Sequence, residues 1–292
     1  MDVYRTPEER FEGLPDFDFE PRYRQVGDLR LAHLDVGEGP PVVMLHGEPT
    51  WSFVYRKLLG PISEAGFRCI APDHAGFGRS DKPVDAGWYG VEPYVGLTTA
   101  VLEDLDLRDV TLVVHDWGGP IGIRVALQQR ERVARMVVLD TALDAKELWM
   151  NETWVRFREM VEQTEDLPIG EIMKITCARE LTDDVIAAYN APFPDVAAQA
   201  GAHGLVLSVP RTRETAAETH RLYETLRDDP LPVLMLWGEL DVVLTLATGH
   251  RLAHAIGRRI DHVIPGAGHA LQEDQGELVA SLIADWLVSE SR

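Results

Sequence analysis

Lysine and cysteine are the scarce residues of this chain, and each shortage narrows what the protein can be. Among 292 residues lysine stands only at positions 57, 82, 146 and 174, so arginine carries nearly all the positive charge. Acidic side chains outnumber basic ones 48 to 28, a formal charge of −20. A surface of that sign repels phosphate backbones and anionic headgroups, which argues against nucleic acid or a membrane as partner. Cys69 and Cys177 are far apart and in no metal-like spacing. They read as two reduced, buried thiols rather than a disulfide framework or a metal site. Long apolar runs are missing too: no stretch approaches the ~20 residues of a membrane-spanning helix. The segment "MDVYRTPEERFEGLPDFDFEP" is acidic and broken by prolines, without the basic and apolar regions of a secretory signal, so a cytoplasmic location is expected.

What the chain does have is a 45% hydrophobic content in a rhythm of strands and helices. Four β-like runs come early: "LRLAHLDVG", "PPVVMLHG", "FRCIAPD" and "VTLVVHD". "VARMVVLD" follows, and "PVLMLWG" and "RIDHVIPG" lie near the C-terminus. Helical patterns stand at about 53–65 and 91–107 and after the last strands. Apolar strands alternating with helices predict an α/β fold, a mostly parallel sheet with helices on both faces. From Asp140 to about Asp229 the rhythm changes. "ELWMNETWVRFREMVEQ", "LTDDVIAAYN" and "RETAAETHRLYETL" look helical, with no convincing strand between them. Residues 1–141 and 230–292 are therefore expected to form the core domain, and 142–229 a helical cap over the carboxyl ends of the strands, where ligands bind to such sheets.

In "VVHDWGGPIG" an apolar strand runs into Asp116 and then directly into glycines. That is the strand, sharp turn and helix on which many hydrolases mount their nucleophile. A carboxylate there, with an ordinary pKa of ~3.9, is ionised without help from a base. Asp116 could instead cap the following helix, but flanking glycines and the neighbouring His115 and Trp117 exceed what a plain cap requires. "HGEPTW" follows the strand "VVML" and lies at the same edge of the sheet. In this architecture the backbone N–H groups of Glu48 and Trp117 would form an oxyanion hole. His46 reads as a structural residue of that turn. His269, in "GAGHALQED" after the last strand, completes the order nucleophile, acid, histidine. The acid lies in "WGELDVVL": Asp241 is the candidate, with Glu239 and Asp140 as rivals. Its task would be to fix the tautomer and orientation of His269. The remaining histidines, at 33, 74, 203, 220, 250, 254 and 262, fit no such slot.

Together "HGEPTWSFVYRKLL", "IAPDHAGFGRSDKP", "VVHDWGGPIG", "YNAPFPD", "QAGA" and "GAGHALQED" resemble the haloalkane dehalogenases of the α/β-hydrolase superfamily, in the branch whose acid follows the penultimate strand. The resemblance runs from about residue 20 to the C-terminus and is thinnest at 142–180. It implies the α/β-hydrolase fold and a catalytic set of Asp116, Asp241 and His269. It also implies attack by Asp116 on a saturated carbon, and halide binding by the indoles of Trp117 and a cap tryptophan. Trp154 is the choice for the latter, with Trp149 behind it. Substrate would be a small apolar haloalkane with water, the products an alcohol, halide and a proton, with no metal or organic cofactor. Two other readings stand beside this one. An epoxide hydrolase would need proton donors such as Tyr189 and Tyr223, and a silent homologue would bind a ligand without turnover. Oligomeric state and preferred substrate are not written in the sequence.

Overall fold

The computed structural model describes residues 1–143, 152–209 and 216–290. Among them, strands β1 (Arg22–Val26), β2 (Leu29–Val36), β3 (Pro41–Leu45), β4 (Arg68–Pro72), β5 (Val110–His115), β6 (Val133–Leu139), β7 (Val233–Gly238) and β8 (His262–Ile264) form one sheet. Their spatial order is β8-β7-β6-β5-β3-β4-β2-β1. The β1–β2 and β2–β4 pairs are antiparallel. Every other pair is parallel. The sheet is thus mostly parallel, as the alternating pattern predicts. β5, apolar except for Thr111 and His115, is buried at every position, which suits a strand covered on both faces. β1 is absent from the sequence reading. Its residues, "RYRQV", are largely exposed at the edge of the sheet, so no apolar run marks them.

Helix α1 (Arg56–Glu64) follows β3, α2 (Val91–Asp104) precedes β5, and α3 (Gly118–Gln128) follows it. α1 starts later than the pattern suggests, because Ser52–Tyr55 forms a tighter 3-10 turn. α2 ends before residue 107, where Asp106 turns to the left-handed φ of 43°. Between β6 and β7 come α4 (Glu152–Gln163), α5 (Ile169–Thr176), α6 (Asp183–Asn190), α7 (Ala200–Ser208) and α8 (Ala216–Asp228). α5 and α7 are additions to the sequence reading. α7, "AGAHGLVLS", is rich in small and apolar residues and has no polar stripe to betray a helix. After β7 the chain forms α9 (Leu246–Ala255), α10 (Leu271–Asp274) and α11 (Gly276–Glu290), and α11 packs on α1.

The inserted helices touch the loops that leave β3 and β8. Trp51 Nε1 donates to the carbonyl of Ala188, 3.2 Å away. The N–H of Ala270 donates to the carbonyl of Thr176 at 3.1 Å. The Asp274 carboxylate accepts from the N–H groups of Ala178 and Arg179 at 2.8 and 2.9 Å. Both cysteines are free thiols, but only Cys69 is fully buried. Cys177, just past the end of α5, is half-buried, a correction to the expectation of two buried thiols. Among the described residues no helix is long and apolar enough to cross a membrane.

Candidate active site

Parallel strands bring the segments after β3, β5, β6, β7 and β8 to one edge. Asp116 stands there with φ of 49°, a left-handed conformation that aspartate tolerates better than most residues. The turn is held from outside: Asp116 N–H donates to the carbonyl of Asp140 at 3.2 Å, and the Thr141 hydroxyl donates to the Asp116 carbonyl. The glycines allow close approach. A Cβ on Gly47 would stand 2.3 Å from Asp116 Oδ1, and one on Gly118 would stand 2.1 Å from the carbonyl oxygen of Leu45. The Asp116 side chain does not cap α3. Its Oδ1 accepts the N–H of Glu48 at 3.0 Å, and its Oδ2 lies 3.4 Å from His269 Nε2.

The other ring nitrogen, His269 Nδ1, lies 2.8 Å from Asp241 Oδ2. Asp241 Oδ1 in turn accepts from the N–H groups of Val243 and Leu244 at 2.7 and 2.8 Å, which fixes the carboxylate plane. The rival acids have other partners. Glu239 accepts from the N–H of Gly266, and Asp140 offers both oxygens to the N–H of Gly238, at 2.9 and 3.1 Å. Side-chain exposure separates the three aligned residues: Asp241 is 0% exposed, His269 5% and Asp116 16%, so the open end of the row is the aspartate on the turn.

The charges follow from these contacts. Burial works against ionisation of Asp116, but the hydrogen bond and charge of His269 prevail and hold the carboxyl below its ordinary range. Burial likewise opposes a charge on His269, yet Asp241 and Asp116 together raise its pKa well above that of a free imidazole. These shifts favour a carboxylate at Asp116 and an imidazolium at His269. Two further acids are shifted toward their protonated form. Burial, then the Asp116 charge, raises the Glu48 carboxyl, and burial, then the Asp241 charge, raises that of Asp140. His46 is fully buried and serves the fold: Nδ1 donates to the Gly47 carbonyl at 2.8 Å, and Nε2 accepts the N–H of His74 at 2.9 Å.

A family model described as the alpha/beta hydrolase fold matches residues 40–275. A haloalkane dehalogenase of Mycolicibacterium paratuberculosis is 38% identical over 98% of this chain and 98% of its own. A second, from Psychrobacter cryohalolentis, is 37% identical over the full length of both. The chain belongs to the haloalkane dehalogenases. Among solved structures, the tetrameric haloalkane dehalogenase DpaA from Paraglaciecola agarilytica superposes with a TM-score of 0.89 at 31% identity, covering 97% of each chain. The fold of this dehalogenase is accordingly that of the α/β hydrolases.

Trp117 immediately follows Asp116 and is half-buried at the start of α3. Trp154 is buried on α4, with the Arg158 guanidinium 5.7 Å from its ring. Arg158 itself donates to the carbonyls of Val206 and Val209. These contacts lie within the segment between β6 and β7, and none of them involves Asp116, His269 or Asp241. Trp149 lies outside the described residues. The Tyr189 hydroxyl donates to Glu273 Oε2 at 2.7 Å. Glu273 also pairs with Arg56, at 2.7 and 2.8 Å, and with Lys57 at 2.7 Å. The sequence reading missed that cluster and the contacts of His115. A signal existed for each: Glu273 stands one helical turn after His269, and His115 is an expensive residue with which to end an apolar strand. Among the described residues no group of three or more His, Cys, Asp or Glu side chains is placed to hold a metal ion.

Proposed function

We propose that this dehalogenase converts haloalkanes to a primary or secondary alcohol, halide and a proton through an ester on Asp116. The observation that carries the reading is the pair of contacts made by one carboxylate: Oδ1 on the N–H of Glu48 and Oδ2 facing His269. An ionised oxygen can displace halide from a saturated carbon with no proton to remove. In this reading Oδ2 forms the bond to carbon and the C–halogen pair of electrons leaves with the halide. The indole N–H groups of Trp117 and Trp154 receive that anion, since an indole donates only and brings an apolar face. Residues 142–229 act as the cap that encloses the substrate.

The second step needs a base. At rest His269 holds its proton because two carboxylates face it. Ester formation removes the charge of Asp116, so the ring gives its proton to solvent, the proton counted among the products, and becomes able to take one from water. The water oxygen then adds to the ester carbon. The developing oxyanion at Oδ1 is held by the N–H groups of Glu48 and Trp117, each worth ~3–4 kcal/mol in comparable sites. Collapse expels the alcohol oxygen, which takes the proton from His269. The new Asp116 acid returns its proton to the ring. Epoxide opening would instead call on Tyr189, whose hydroxyl is engaged by Glu273.

The test is His269→Phe incubated with a short bromoalkane. The expected result is one burst of bromide and a peptide containing Asp116 heavier by the alkyl group. Steady bromide turnover, or an unmodified Asp116 peptide after the burst, would end the proposal.

A further inference from the structure

His115 ends β5 one residue before Asp116, and its side chain is buried. Its Nε2 lies 2.9 Å from the carbonyl oxygen of His269, with the two rings 4.9 Å apart between centroids. A carbonyl oxygen only accepts, so Nε2 carries the proton and Nδ1 is bare. That Nδ1 is buried without a hydrogen-bond partner. An unpaired buried acceptor costs stability, a penalty that an apolar ring of similar size would not carry. What the histidine offers in exchange is one donor, directed at the main chain of His269.

The topology explains why a donor there matters. β8, which leads to His269, lies beyond β6 and β7 from β5 in the sheet, so no ladder hydrogen bond links the two strands. The loop after β8 is tied locally, by Leu240 N–H to the Ala267 carbonyl and by Gly268 N–H to Asp274, at 2.8 and 2.7 Å. Neither tie reaches the strand that carries Asp116. We propose that His115 is a positioning residue whose Nε2–H fixes the height of the His269 main chain above β5, so that the imidazole stands between Asp116 and Asp241. Burial, reinforced by the charge on His269, lowers its own pKa to about 4 against the opposing pull of Asp116 and Asp241. The donor is thus present, on a neutral ring, across the neutral range.

The inference rests on the reading in which His269 serves only the second step. It is tested by rapid-quench measurement of alkyl-enzyme formation and breakdown in His115→Phe and His115→Gln, with thermal unfolding as the folding control. In His115→Phe, breakdown should slow ~10- to 100-fold, the scale of a small misplacement of a reacting group. Formation should stay at the parent rate. His115→Gln, which keeps an N–H donor, should regain most of the loss. Should His115→Phe not fold, His115→Met, also without a donor, replaces it. Equal slowing of both steps, unchanged breakdown, or a glutamine variant no better than the phenylalanine one would each overturn the role. His269→Phe runs alongside. If that variant stops at the alkyl-enzyme while His115→Phe slows both steps, only the positioning role falls. If it turns over freely, the two-step reading falls first.

Discussion

At the carboxyl end of β5, Asp116 is held from four directions. Its N–H goes to Asp140, its carbonyl to Thr141, one carboxylate oxygen to Glu48, and the other faces His269. In α4, Trp154 lies under Arg158, which also meets Glu162 and the carbonyls of Val206, Leu207 and Val209, all in the segment between β6 and β7. The first region is fixed by contacts among segments far apart in sequence, and the second largely by its own members. Long-range fixing suits a group that must meet a reacting atom within a fraction of an ångström. Self-contained packing suits a wall that can be reshaped without disturbing the chemistry.

That contrast predicts steep effects at the sheet edge and shallow ones in the insert. The largest is expected at Asp241. Asp241→Asn should lower turnover by ~10⁴-fold, as loss of the orienting acid does in a comparable triad. Asp140→Asn should leave turnover nearly unchanged, because that carboxyl bonds the Gly238 N–H and burial favours its neutral form. Steady-state bromide release decides between them, and the opposite ranking would move the acid to the end of β6. The next effect falls on the joint between the regions. Glu273→Gln leaves Arg56, whose side chain is 1% exposed, without its counter-charge. Loss of one partner of such a buried pair costs ~3–5 kcal/mol, to be read from urea unfolding. The smallest is expected at Trp154. Trp154→Phe should weaken bromide binding about tenfold, the worth of one hydrogen bond to an anion, with the unfolding midpoint little changed. A larger loss than at Asp241 would erase the contrast.

The same contrast governs what could be read from the sequence. The turn at Asp116 was legible because its demands are local: an apolar strand, an aspartate, then glycines where the Leu45 carbonyl comes close. His269 and Asp241 were legible through their order along the chain, each after a strand with its own apolar run. Asp241 stood ahead of Glu239 and Asp140 in the sequence, although all three end or follow strands; in the structure it is Asp241 that faces Nδ1. β1 was hidden by its polar edge position, and α7 by having no polar face. His115 stood out as a costly residue at the end of a strand, yet its contact was hidden for a different reason. Its partner is a main-chain carbonyl 154 positions away, and no side-chain pattern announces such a contact.

The upward shifts of the Glu48 and Asp140 carboxyls have a consequence for ion traffic. They favour neutral acids at those two positions, so that in the proposed reaction Asp116, His269 and Asp241 together carry a single excess negative charge before substrate reacts. In the proposed first step that excess simply migrates from the aspartate to the departing halide. Until His269 gives up its proton, the site therefore carries as much charge after bond breaking as before it, and the halide is spared the repulsion of two extra carboxylates, which burial would magnify.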